Sequence, residues 1–175
     1  MVDSSKFAVA ALPYPGNNPA PRDALSEGKI GPIFDYHKPM LEEIRKLLPN
    51  LDEKIRIVAG FSNGAHLIGT AIESGLPDYV DFFNAFVIVE GGARSSSAKT
   101  KLRGKFAYLA WGTDTAKRGS KDYMQAMVGG VEEAKLETAI SEMEGEGHAF
   151  PETEKAKVKT WIEAVVIPGL AKLTN

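Results

Sequence analysis

The chain has 175 residues, 43% hydrophobic and 25% charged, with a formal net charge of −2, which suits one domain built around one sizeable core. That near-balance of charge offers no basic surface for nucleic acid or for an anionic membrane, and no apolar run approaches the ~18 residues that a membrane span needs. The lack of cysteine excludes a disulfide framework, a thiolate metal site and a cysteine nucleophile.

From the N-terminus, Lys6–Leu12 (KFAVAAL) is a short apolar run of the kind that forms a buried strand. Pro13–Pro32 holds five of the ten prolines. That density excludes helix and central strand, and so long an irregular loop in a small domain is more often functional than idle. Lys38–Leu48 has helical periodicity, with Met40, Ile44, Leu47 and Leu48 on one face and Pro39 suited to a first turn. Lys54–Gly60 (KIRIVAG) predicts a strand, and Ala65–Gly75 a helix closed by its glycine. Strands follow at Phe83–Gly92 and Lys105–Gly112, then a helix at Ser120–Gly130 and a strand at Leu136–Met143. A terminal helix starts near Pro151, carries acidic residues in its first turn and is expected to stop at Pro168. Five strands alternating with helices predict a single α/β domain over residues 1–175 with a mainly parallel five-stranded sheet. Right-handed crossovers place all strand C-terminal ends on one edge, where open parallel sheets bind ligands.

Three such ends carry chemistry. Gly60-Phe61-Ser62-Asn63-Gly64 lies between a β-branched strand and an amphipathic helix. A G-x-S-x-G match arises by chance in roughly one such sequence in ten, so its setting decides its weight. At a sharp strand-to-helix turn the glycines allow close backbone approach and the serine hydroxyl stands above the sheet edge; the plain alternative is a helix-capping serine. Asp114 follows the fourth strand and His148 follows the fifth. A serine hydroxyl needs a neutral imidazole to take its proton, and the imidazole needs a carboxylate to fix its tautomer. Singly, the aspartate is an ordinary turn residue and the histidine an ordinary surface one; together with Ser62 they supply all three groups at one edge.

These segments resemble the α/β-hydrolase superfamily, at its small serine esterase and dienelactone-hydrolase-like end. GFSNGAH is similar to its nucleophile elbow, WGTDT to its acid loop and GEGHAFP to its histidine loop, within a resemblance running from Phe7 to the C-terminus. The resemblance implies a minimal, lidless member that lacks the early strands. In it Ser62 would be nucleophile, His148 general base and Asp114 orienting acid, cleaving a small or accessible carboxylic ester through an acyl-enzyme. Glu90, closing VIVEGG, is the second choice for the acid. Family members usually have more strands before the elbow and a His-Gly dipeptide that supplies an oxyanion N–H. Here one strand ends in ALPYPGNN, and pairing it beside the nucleophile strand would set that loop over Ser62. Pro13 and Pro15 have no N–H, which leaves Tyr14 as the expected oxyanion donor alongside the Asn63 N–H. The same prolines also fit a plain rigid turn.

The competing reading is a non-catalytic hydrolase-like domain that binds a small carbonyl ligand or a protein partner, supported by the missing early strands. A flavodoxin-like domain leaves Ser62, Asp114 and His148 unexplained. No cofactor is expected, since no G-x-G-x-x-G or P-loop follows a strand, and no metal, since His37 and Asp35 are too few ligands. His66 is expected to pack beneath the site, Tyr108 and Trp111 in the core, and Ala93–Lys101 in a solvated loop. The expected partner is a small-molecule ester, without nucleic acid or membrane, and the bare sheet edge is a surface for pairing with a second copy. The N-terminus, with one lysine, a short apolar stretch and then prolines, does not read as a signal peptide. With no cysteine this suits the cytoplasm, although a mature secreted chain would look the same.

Overall fold

The structure, a computed structural model, describes residues 6–13, 30–114, 116 and 121–172. Helix α1 (Ile30–Leu47) leads to strand β1 (Ile57–Phe61), followed by helices α2 (Asn63–Ser74) and α3 (Pro77–Phe82). Strands β2 (Ala85–Val89) and β3 (Phe106–Gly112), helix α4 (Lys121–Ala134) and strand β4 (Glu137–Met143) come next. Helix α5 (Glu152–Trp161) then continues through a π turn (Ile162–Val166) into α6 (Ile167–Lys172). The strands form one sheet in the order β1-β2-β3-β4, every neighbouring pair parallel.

The central strands explain themselves. AFVIV and FAYLAWG are apolar almost without break, and every residue of both is buried, as a parallel sheet covered on both faces requires. Phe86, Ile88, Ala107 and Leu109 pack with α2 and α4 on one face, around Ile68, Ile72, Met124 and Met127. Val87, Val89, Tyr108 and Ala110 pack on the other against Val158, Trp161 and Val166 of the C-terminal helices. Tyr108 and Trp111 are core residues, as expected, at 5% and 4% exposure. The buried Glu154 is matched by three groups: Tyr108 OH donates at 2.6 Å, Ser141 Oγ at 3.1 Å, and Lys157 Nζ lies 2.9 Å away. Burial, then the bond to Glu154, pushes the Tyr108 hydroxyl well above the ordinary tyrosine range.

Several expectations are corrected. Among the described residues the sheet has four strands rather than five, because Lys6–Leu12 forms none. Residues 7–13 carry no regular structure, and Val9 is 76% exposed. This segment and β1 line the same cavity of about 860 Å³. Among the described residues β1 pairs only with β2, so the apolar run has no ladder partner to make it a strand. Pro39 lies inside α1 rather than in its first turn, because the helix begins at Ile30. Pro168 does not stop the terminal helix. The Ile167 N–H reaches back to Ile162 O in the preceding π turn, shifting the ladder where a residue without an N–H enters. Helix α3, opened by Pro77 in its first turn, falls where no element was expected. Lys105 Nζ closes its C-terminal end by donating to Val80 O (2.6 Å) and Phe83 O (2.8 Å), while burial lowers the pKa of this lysine.

Candidate active site

With β1 ending at Phe61 and α2 starting at Asn63, Ser62 alone makes the strand-to-helix turn. It does so at φ 54°, ψ −115°, a conformation costly for any residue with a Cβ. The surroundings hold it there: Ser62 N–H donates to Val89 O, and Ser62 O accepts from His66 N–H, both at 3.0 Å. A Cβ on Gly60 would lie 2.6 Å from Ala65 N, inside the turn, whereas one on Gly64 would meet nothing within 4 Å. Only the first motif glycine is therefore required sterically. A third, Gly91, was not foreseen; its Cβ would sit 2.7 Å from Ser62 O. The Ser62 hydroxyl makes no helix-capping bond.

That hydroxyl points instead at His148, whose Nε2 lies 2.9 Å from Ser62 Oγ. The other ring nitrogen, Nδ1, lies 3.4 Å from Glu90 Oε2. A carboxylate only accepts, so the neutral ring carries its proton on Nδ1 and leaves the Nε2 lone pair for the serine. Glu90 is fully buried at the end of β2, and its second oxygen accepts the Gly112 N–H from the end of β3. Its backbone sits at φ 54°, a value uncommon for any residue but glycine. The ends of β1 and β2 thus meet at the imidazole carried by the β4–α5 loop, and the end of β3 holds Glu90 in place.

Asp114 occupies the neighbouring loop after β3, where its Oδ1 accepts the Ala116 N–H at 3.1 Å and its own N–H donates to Glu146 O at 2.9 Å. The carboxylate brought to His148 Nδ1 is that of Glu90. Asn63 is the first residue of α2, whose ladder opens with the bond from His66 N–H to Ser62 O, so that ladder does not use the Asn63 N–H. Tyr14 lies outside the described residues. His66 Nδ1–H donates to Gly92 O at 2.8 Å and its ring meets Tyr123 edge-on, one helical turn beyond Ser62. Beside the Ser62–His148 pair stands an aromatic wall that the sequence reading did not single out. Phe61, 40% exposed, lies 5.0 Å from the His148 ring, and Phe150 lies near-parallel to Phe61 at 6.4 Å. Among the described residues that line the cavity beside β1, Gly64 belongs to the turn around Ser62. Among the described residues there is no group of three or more metal-ligating side chains, and no helix is long and apolar enough to cross a membrane.

The fold is that of the α/β-hydrolases. Superposition on the carboxylesterase from Bacillus cereus gives a TM-score of 0.63 at 20% identity, covering 78% of this chain and 62% of that one. The carboxylesterase from Mesorhizobium loti gives 0.63 at 16% identity with the same coverage. SOBER1 from Arabidopsis thaliana gives 0.55 at 17% identity, covering 90% of this chain and 71% of that one. The chain thus spans less than two thirds of the length of the two carboxylesterases. No family model matches it, and no curated protein matches its sequence.

Proposed function

We propose that the chain is a serine-dependent hydrolase of small or accessible carboxylic esters. One observation carries the reading: a serine hydroxyl held at a strained turn lies 2.9 Å from the free nitrogen of an imidazole. In the proposed reaction His148 Nε2 takes the Ser62 proton as the Oγ–carbonyl carbon bond forms. The proton then passes to the alcohol oxygen as the ester C–O bond breaks, leaving an acyl-enzyme. Water, deprotonated by the same nitrogen, releases the acid and restores Ser62. Glu90 takes the orienting role ahead of Asp114, a choice supported by its 3.4 Å approach to Nδ1 and by its burial. The Asn63 N–H serves as one oxyanion donor, and Tyr14, from its place in the sequence, as the second.

The test is labelling with a fluorophosphonate probe together with hydrolysis of a short p-nitrophenyl ester. Ser62→Ala and His148→Ala are expected to lower turnover by at least about 10³-fold. Wild-type protein that neither labels nor turns over faster than Ser62→Ala ends the reading.

A further inference from the structure

We propose that Phe61 and Phe150 form the subsite for the alcohol part of the ester and select planar aromatic alcohols, a specificity that rests on the esterase reading. The nitrogen that takes the proton from Ser62 must return it to the leaving oxygen, so that oxygen passes within hydrogen-bond reach of His148 Nε2. The first atoms of the alcohol are thereby confined to whatever flanks the imidazole. On the β1 side the flanking group is Phe61, whose ring centroid lies 5.0 Å from that of His148 at a 37° tilt. Phe150, two residues after His148, extends the surface, its ring 16° from parallel with Phe61.

Phe61 belongs to the motif that makes the turn, yet this residue is left 40% exposed at the end of β1. An exposed aromatic face beside a nucleophile is apolar area whose burial favours whatever covers it. A flat ring covers it best, since offset stacking adds to area burial. The carbonyl oxygen is left to the Asn63 N–H, which the helix ladder does not use, while the leaving oxygen keeps to the imidazole.

The experiment compares benzyl acetate with ethyl acetate, whose alcohols have similar acidity, in wild type, Phe61→Leu and Phe150→Leu. The benzyl-to-ethyl ratio of kcat/KM is expected to be about tenfold in wild type and within about twofold of unity in each variant, the change lying mainly in KM. A ratio near unity in wild type overturns the subsite and leaves the esterase reading standing. So does an equal fall for both esters in the variants, which would make Phe61 only a support for His148. An NMR titration with benzyl alcohol decides the case in which turnover is absent and the esterase reading has failed. Saturable shifts of the His148 and Phe61 ring signals, lost in Phe61→Leu, keep the subsite; no shifts sink it.

Discussion

Two carboxylates follow strands within reach of one histidine loop, and substitution separates them. If Glu90 orients His148, Glu90→Gln lowers kcat by about 10³–10⁴-fold, because a neutral amide fixes the wrong tautomer and cannot balance the imidazolium. Asp114→Asn is then expected to stay within about fivefold; the reverse pattern in the same steady-state assay returns the role to Asp114. The sequence could rank the two only by loop position. Their separation depends on the positive φ at Glu90 and on the Gly112 N–H that holds its other oxygen, both products of tertiary structure. The turn at Ser62 was more legible, because flanking glycines between an apolar strand and an amphipathic helix admit few conformations. Legibility stopped short of which glycine matters. Gly60→Ala, with no room beside the Gly64–Ala65 peptide, is expected to cost about 1–3 kcal/mol or more in urea unfolding. Gly64→Ala, facing open space inside α2, should be neutral or stabilising by up to about 1 kcal/mol.

At the level of elements, α5 is fastened to β3 and β4 by the polar group around Glu154. Tyr108→Phe removes a buried hydrogen bond to a carboxylate and is expected to cost about 2 kcal/mol near neutral pH. The cost depends on pH with a definite sign. The folded hydroxyl has its pKa raised, so its contribution is complete below the unfolded value of about 10. Above that pH the unfolded chain loses the proton first, and the stabilisation falls away as pH rises toward the folded value. Urea melts of wild type and Tyr108→Phe should therefore differ by a constant amount up to pH 9 and converge above pH 10. Elements with strong internal patterns, such as β2, β3 and α2, were readable from sequence because their own residues carry the burial that fixes them. Lys6–Leu12 was misread because a strand is a property of a pair: its apolar run fits a sheet, but nothing local states whether a neighbour exists. Pro39 misled in a similar way, marking a helix start where packing carries α1 through the proline.

For the molecule as a whole, the division into two packed faces of one sheet predicts where stability resides. Ile68, 1% exposed beneath the sheet, should cost about 2–5 kcal/mol when cut to alanine. Val9, 76% exposed, should cost less than about 0.5 kcal/mol when changed to glutamate. A loss above 1 kcal/mol at Val9 in chemical denaturation would mean that the N-terminal segment is part of the sheet after all. The overall α/β class was legible because alternating strand and helix patterns leave few architectures. The size of the sheet was not, since strand number is settled at the edges, where propensity says least.

The backbone at Ser62 also holds a reserve of stability that activity would forgo. Glycine adopts φ 54° without a Cβ clash, so Ser62→Gly should release about 1–3 kcal/mol of strain. The greater freedom of glycine in the unfolded chain takes back about 0.5–1 kcal/mol. The net gain of about 1 kcal/mol should raise Tm by about 3 °C in a chain of this length. If Ser62 is the nucleophile, as proposed, the variant would be a firmer fold without activity, and the native protein is expected to melt earlier than this variant.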